Sequence, residues 1–436
     1  MTALENPPLA VYLHFPWCVR KCPYCDFNSY TLRGELDEAA YLAALRADLA
    51  AQACDAGERE IISVFLGGGT PSLFSPRGIG ELLDVLRARL RCAAALEVTL
   101  EANPGTIERG RFAEYRAAGV NRVSLGAQSF SATQLQALGR IHSPEDTRHA
   151  AEELHAAGLE NFNLDLMYGL PGQDVAGALE DPEAALALDP AHLSHYQLTL
   201  EAGTPFAARP PPLPEEEPIE RMLAACRERL AAGGFEQYEV SAYAQAGRQC
   251  RHNLNYWQFG DYLGIGAGAH GKLTRAASGE VLRSAQAREP RRYLACAAQG
   301  AAGRRAVPPA QLPFEFMLNA LRLRAGFEPA LFCRRTGLDW AVAAEPLEAL
   351  RERGLIERDG SCVRASGFGW RFLNELLLGF LPETSESIGL TELSMLLDPG
   401  RVLDGGPYTQ GRGRCPQMSE LALIPAKSLN DVVITH

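Results

Sequence analysis

The stretch CVRKCPYCDF places cysteines at 18, 22 and 25, in the spacing C-x₃-C-x₂-C. Thiolates are soft ligands that favour zinc and iron, so three on one tight loop can hold a metal ion or an iron–sulfur cluster. Protein metal sites usually want four ligands, and two residues beyond Cys25 stands Phe27, which cannot ligate. One reading is a structural zinc with His14 as the fourth ligand. Such sites usually combine C-x₂₋₄-C with a second, distant pair, and the next cysteine, Cys54, lies alone in a helix pattern. The other reading is that the missing fourth ligand is the purpose of the site, an open coordination position.

The surroundings add weight to the second reading. The loop directly follows an apolar run, AVYLHF (10–15), and so lies at the C-terminal end of a strand, where β/α barrels carry their chemistry. GGGTPS (67–72) ends the next strand-like run, and its glycines allow close approach to backbone N–H groups that could bind a carboxylate or phosphate. Glu101 ends a third run, Gln128 a fourth, and Asp165 lies late in a fifth. A polar side chain in an apolar strand is costly without a partner. One alone is a satisfied core group; five strand ends on one rim suggest a ligand.

The elements that must position these residues follow from periodicity. Strands are expected at 10–15, 61–68, 97–103, 121–129, 162–169 and 192–200, alternating with amphipathic patterns such as GIGELLDVLRARL and EDTRHAAEELHAAG. Several of these helices end in AAG, with glycine at the C-terminal cap. Six strand–helix units are two short of a full barrel, which gives α/β class and an incomplete parallel (β/α)6 barrel over residues 1–245; a doubly wound sheet is the alternative. ARPPPLPEEEP (208–218) reads as an exposed loop or lid. Residues 246–310 read as a connecting region. Between 311 and 380, three helical patterns, two β-like pieces and a final helix suggest a smaller winged-helix-like α+β domain. Residues 381–436 are Gly-rich and aperiodic, a poorly ordered extension.

Length and composition agree. The 436 residues are 47% hydrophobic and 22% charged, ordinary for a soluble globular chain, and the net charge of −11 argues against a nucleic-acid partner. The start has no signal-peptide pattern, no apolar run reaches the roughly 18 residues of a membrane span, and the eleven cysteines are scattered, so a reducing, cytoplasmic compartment is expected.

Taken together, the three-cysteine loop with Tyr24 before its last cysteine, and GGGTPS, resemble the radical S-adenosylmethionine proteins. Tyr12, His14 and Pro16, then EANP (101–104), SLGAQSF (124–130), LGRIH (138–142) and DLMYGLPGQ (165–173), are similar to the oxygen-independent coproporphyrinogen III oxidase branch. Within it, residues 10 to about 380 most resemble the HemW-type haem chaperones. The resemblance implies that Cys18, Cys22 and Cys25 ligate three irons of a [4Fe–4S] cluster, leaving the fourth open to S-adenosylmethionine. It further implies S-adenosylmethionine contacts from Tyr12, Gly68, Gly69, Thr70, Glu101, Gln128, Arg140 and Asp165. In such proteins an electron passing to the sulfonium breaks a C–S bond. Arg140 suits a carboxylate through its planar fork, though by itself it reads as a helix-end surface arginine.

Two features separate the branches. The oxidases carry a further cysteine two residues past the third, where this chain has Phe27, so decarboxylation of coproporphyrinogen is in doubt. HNLNYW (252–257) matches a motif that the HemW type associates with haem handling. His252 is the candidate axial ligand, with Asn253, Tyr256 and Trp257 beside it, and His270 is a lower-ranked spare. Read alone, the six residues are an ordinary core histidine with packed aromatics. The expected partners are haem and haem-accepting proteins, such as respiratory enzymes or bacterioferritin, with transient membrane association through them and a homodimer as further expectations. The rival readings are a coproporphyrinogen III oxidase and an RNA-modifying radical enzyme.

Overall fold

LAVYLHF forms strand β1 (Leu9–Phe15), buried at every position and flanked by parallel neighbours on both sides. A strand enclosed in this way needs a continuous apolar run and not an alternating one. The computed structural model describes residues 4–105, 110–301 and 303–381. The extension expected from 381 onward thus falls, beyond its first residue, outside the described residues.

The six expected strands are present as β1, β2 (Ile61–Gly68), β3 (Cys92–Ala102), β4 (Arg122–Gln128), β5 (Phe162–Tyr168) and β6 (His192–Gln197), each parallel to the next. The β-rich QYEVSAYA divides into two short pieces, β7 (Glu236–Gln237) and β8 (Ala242–Ala244), which add antiparallel pairings beyond β6. On the other side, β9 (Asp261–Ile265) lies parallel to β1 and antiparallel to β10 (His270–Arg275). The order through this part of the sheet is β10-β9-β1-β2-β3-β4-β5-β6-β8-β7. A seventh parallel strand therefore comes from 246–310, a region that reads as a connection because DYLGI is short and followed by GAGAHG. The glycines there serve the turn between β9 and β10.

Helices α1 (Glu38–Ala56), α2 (Pro76–Arg89), α3 (Phe112–Ala117), α4 (Ala132–Ala137), α5 (Pro144–Ala156), α6 (Val175–Leu186) and α7 (Glu216–Ala232) connect the strands. Their starts are encoded locally. Ser75 caps α2 through the Gly78 N–H ahead of Pro76, and Ser143 with Asp146 forms a capping box on α5. The residues 208–218 run into α7 at Glu216. A short helix, α8 (Arg251–Trp257), carries HNLNYW. The barrel core includes Leu13, Leu45, Leu66, Leu100, Leu125 and Leu164, all buried.

The chain separates into two compact units, the first comprising Asn6–Arg275 and Val281–Arg305 and the second built mainly from Ala306 onward. The second contains α9 (Leu312–Ala320), α10 (Pro329–Thr336), α11 (Ala341–Glu352) and a hairpin of β11 (Ile356–Asp359) and β12 (Cys362–Ala365). Edge-to-face packing of Phe316 on Phe327 and Phe332 centres its core. The single final helix read from FGWRFLNELLLGFL is two, Gly367–Arg371 and Leu373–Leu378, because Phe372 leaves the helical backbone at φ −122°, ψ 41°.

Candidate functional site

The cysteine loop begins where β1 ends. The Cys25 N–H donates to the Cys22 carbonyl at 3.2 Å, closing a tight turn, and Trp17–Cys18 pairs with Tyr30–Thr31 across the base of the loop. The three thiols are half-buried and not in disulfides. Lys21 Nζ reaches the carbonyls of Phe27 at 2.9 Å and Ser29 at 3.0 Å, which ties the loop's exit to its interior. Asn28 Nδ2 donates to Ala267 O at 2.9 Å and so fastens the loop to the β9–β10 turn. Burial pushes the Cys18 thiol up to about 11. A thiolate there needs positive charge beside it.

His14 is not available as a fourth metal ligand. Its Nδ1 accepts the Tyr12 hydroxyl at 2.9 Å and its Nε2 donates to Asn28 O at 2.9 Å, a pairing that fixes the neutral tautomer. Burial lowers its pKa to about 4, so it is uncharged at neutral pH.

The glycine turn is also used differently from the expectation. Gly68 N–H donates to Glu101 Oε2 at 2.9 Å, Gly69 N–H to Phe15 O at 2.6 Å, and Thr70 N–H to Trp17 O at 2.8 Å. These donors bind the protein itself and are not presented to a ligand. The glycines are needed for space: a Cβ on Gly68, at φ +109°, would lie 2.4 Å from the His14 ring, and one on Gly69 would lie 2.6 Å from Trp17 O. The turn therefore carries Glu101, the cysteine loop and β1 at van der Waals distance.

A polar arc runs from the turn back to the loop. Asn103 Nδ2 donates to Thr70 Oγ1 at 2.9 Å, and Arg140 Nη2 donates to Asn103 Oδ1 and to Gly126 O at 2.8 Å. Arg140 Nη1 stands 3.5 Å from Cys22 Sγ. Arg140 is thus a half-buried residue tied into this arc, not the free helix-end surface arginine that LGRIH suggests in isolation. Gln128 joins them over Gly126, where a Cβ would meet Gln128 Nε2 at 3.1 Å and Arg140 Nη2 and Asn103 Oδ1 at 3.2 Å each. Tyr196 donates its hydroxyl to Gln128 Oε1 at 2.8 Å, which fixes the amide's orientation. Glu101 is pushed up to about 8 by burial and then by the charge of Asp165, against the Gly68 N–H. Asp165 is raised by burial, offset by hydrogen bonds including Asn163 Nδ2 at 2.7 Å and the Ser124 hydroxyl.

The structure does not bring HNLNYW to this rim. Ser63, which pairs with Ala10 near the start of β1, meets His252 Nδ1 at 2.9 Å, whereas Gly68, at the other end of β2, pairs with Phe15. His252 Nε2 contacts the Tyr256 hydroxyl at 3.1 Å, its backbone N–H donates to Glu97 Oε1 at 3.1 Å, and its ring stacks on Phe65 at 5.0 Å. His252, Tyr256 and Trp257 are buried and Asn253 half-buried. Tyr12 lies between the two ends, 6.4 Å from the His252 ring and 5.8 Å from that of His14. His270, the first residue of β10, is half-buried.

Residues 12–180 match the family model "Radical SAM superfamily", and residues 307–372 match "HemN C-terminal domain". The protein named "Heme chaperone HemW" of Escherichia coli (strain K12) is 46% identical over 382 residues, covering 87% of this chain and 100% of that protein. The chain belongs to the HemW family. The HemW protein of Mycobacterium tuberculosis (strain ATCC 25618 / H37Rv) is 36% identical over 85% of this chain and 94% of its own length. The mitochondrial "Radical S-adenosyl methionine domain-containing protein 1" of Bos taurus is 38% identical over 87% of this chain and 88% of that protein. Among solved structures, coproporphyrinogen III oxidase (HemN) from Escherichia coli superposes with a TM-score of 0.73 at 21% identity, covering 86% of this chain and 90% of that one. That likeness is one of fold.

Membership of the radical SAM superfamily implies a [4Fe–4S] cluster and S-adenosylmethionine. The residues of this HemW-family chain fit both groups. Three soft thiols share one loop, the Arg140 guanidinium stands beside Cys22, and Glu101, Gln128, Arg140 and Asn103 present polar atoms near the Gly68–Gly69 turn. Lys21, Asn28, Asn103 and Tyr196 were not singled out from the sequence. Asn103 had a signal, standing two residues past Glu101 in EANP; the other three look like ordinary surface or strand residues until the loops meet.

Proposed function

We propose that this chain binds haem and delivers it to haem-requiring proteins, with a [4Fe–4S] cluster and S-adenosylmethionine bound at the rim of the barrel. The observation that supports it is membership of the HemW family over 87% of the chain combined with Phe27 at the position where the oxidases carry another cysteine. Cys18, Cys22 and Cys25 would hold the cluster. Tyr12, Gly68, Gly69, Thr70, Glu101, Gln128, Arg140 and Asp165 would form the S-adenosylmethionine site, in which Arg140 and Gln128 orient polar groups and the glycine turn holds Glu101 and the cysteine loop in place. When bound, the cluster supplies a single electron to the sulfonium.

For haem, the assigned group is His252 with Asn253, Tyr256 and Trp257. Ligation there requires the buried His252 to exchange one ring-nitrogen contact, such as that of Nδ1 with Ser63, for iron, so haem loading would be coupled to movement of α8. Respiratory enzymes or bacterioferritin as recipients, transient membrane association through them, a homodimer and a cytoplasmic site of action belong to the same reading. Among the described residues no helix is long and apolar enough to cross a membrane.

Anaerobic reconstitution followed by two assays tests the function. Haem titration is expected to give a Soret-shifted complex, while coproporphyrinogen III is expected to yield no protoporphyrinogen. A decarboxylated product without haem binding would favour the oxidase reading.

A further inference from the structure

Gln128 is one of three non-glycine residues at positive φ among those described, at +65°. The Ser129 N–H donates to Ala127 O at 2.8 Å, closing a three-residue γ-type turn about Gln128 at the very end of β4. This conformation is rare and strained for an L-residue, so it persists only where the surroundings over-determine it. The pairing of β4 with β5 shifts register between Leu125 and Gln128, as a strand does when one residue is re-aimed.

Two buried side chains hold this turn: His142 Nε2 donates to Ala127 O at 3.1 Å on one side, and Asp181 secures the residues that follow Gln128. Asp181, in α6, accepts the Ser129 hydroxyl on both carboxylate oxygens, at 3.0 and 2.9 Å, and accepts the Phe130 N–H on Oδ1. Ser129 Oγ in turn accepts the Ser131 N–H at 3.0 Å, and Ser131 caps the helix that leads on to Arg140. The helix bearing Asp181 is itself secured. Pro182 has no N–H to give to the Ala178 carbonyl, and the Cys226 thiol of α7 donates to that carbonyl at 3.3 Å instead.

We propose that Asp181 is a positioning residue for the S-adenosylmethionine site: its carboxylate holds the strained turn that directs Gln128 Nε2 alongside Arg140 and Asn103. In this role it would act through Gln128 and not by direct contact with the cofactor. This rests on the assignment of Gln128 to that site.

The test is equilibrium binding of radiolabelled S-adenosylmethionine to the anaerobically reconstituted protein, with iron content measured in parallel. Asp181→Ala is expected to weaken binding about tenfold, corresponding to about 1.4 kcal/mol, without lowering iron content. Asp181→Asn, which keeps an acceptor for the Phe130 N–H, is expected to recover part of the loss. Ser129→Ala, a milder change should Asp181→Ala fold poorly, is expected to weaken binding a few-fold. The deciding measurement is the double variant Asp181→Ala/Gln128→Ala, expected to bind no more weakly than Gln128→Ala alone, since Asp181 acts through Gln128. Additive losses would overturn the proposal, as would unchanged binding in both Asp181→Ala and Ser129→Ala. Unchanged binding in Gln128→Ala would instead overturn the site assignment beneath it.

Discussion

Arg140 Nη1 lies 3.5 Å from Cys22 Sγ while its Nη2 is held by Asn103 and the Gly126 carbonyl. The contact joins the loop after β4 to the loop after β1, and it places a permanent positive charge beside a candidate cluster ligand. Arg140→Ala is expected to weaken S-adenosylmethionine binding about 10–100-fold, from the loss of one or two charge-assisted hydrogen bonds. Arg140→Lys should recover little of it, because an ammonium cannot replace a fork held at two points. Equilibrium binding with parallel iron analysis measures both.

The Gly68 prediction concerns stability. Alanine there would put a Cβ 2.4 Å from a ring already hydrogen-bonded at both nitrogens, on a backbone at φ +109°. Gly68→Ala is expected to destabilise the cofactor-free protein by about 1–3 kcal/mol, the usual cost of overpacking. Denaturant unfolding checks it, with an unchanged midpoint as the contrary result.

Glu101 gives a pH dependence. Its folded pKa of about 8 lies above the roughly 4.3 of an unfolded glutamate, so the folded state binds the proton more tightly. The stabilising contribution is therefore complete below about pH 4.3 and is lost as pH rises towards 8; Asp165, raised by its own burial, adds in the same direction. Glu101→Gln should flatten the fall in stability of the cofactor-free protein over this window. An unchanged slope between the two proteins would count against a neutral buried Glu101.

The Ser63–His252 contact separates two roles for the histidine. If His252 ligates haem iron after leaving Ser63, removing the hydroxyl weakens only the haem-free state. Ser63→Ala is then expected to tighten haem binding a few-fold, corresponding to about 1 kcal/mol for one hydrogen bond, while His252→Ala abolishes the Soret shift. If His252 is a core residue alone, both variants lower thermal stability and leave the haem spectrum as it was.

Much of this molecule was determined by local sequence. The six parallel strands follow from apolar runs of the right length, and their intervening helices from Ser and Pro at the starts and Gly at the ends. Cys18, Cys22 and Cys25 are legible because ligands on one loop carry their geometry in their spacing. The strand-end positions of Glu101 and Gln128 could be read for the same reason. What tertiary structure decided is where groups distant in sequence meet. DYLGI is too short to announce that it lies beside β1, and its place in the sheet depends on pairing across some 250 residues. The N–H groups of the glycine turn are consumed by Phe15, Trp17 and Glu101, which no local pattern states. Asp181 looks like a mid-helix acid until packing sets it under a strained turn. HNLNYW reads alike whether it faces a ligand or fills a core, because burial is a property of the whole fold and not of six residues.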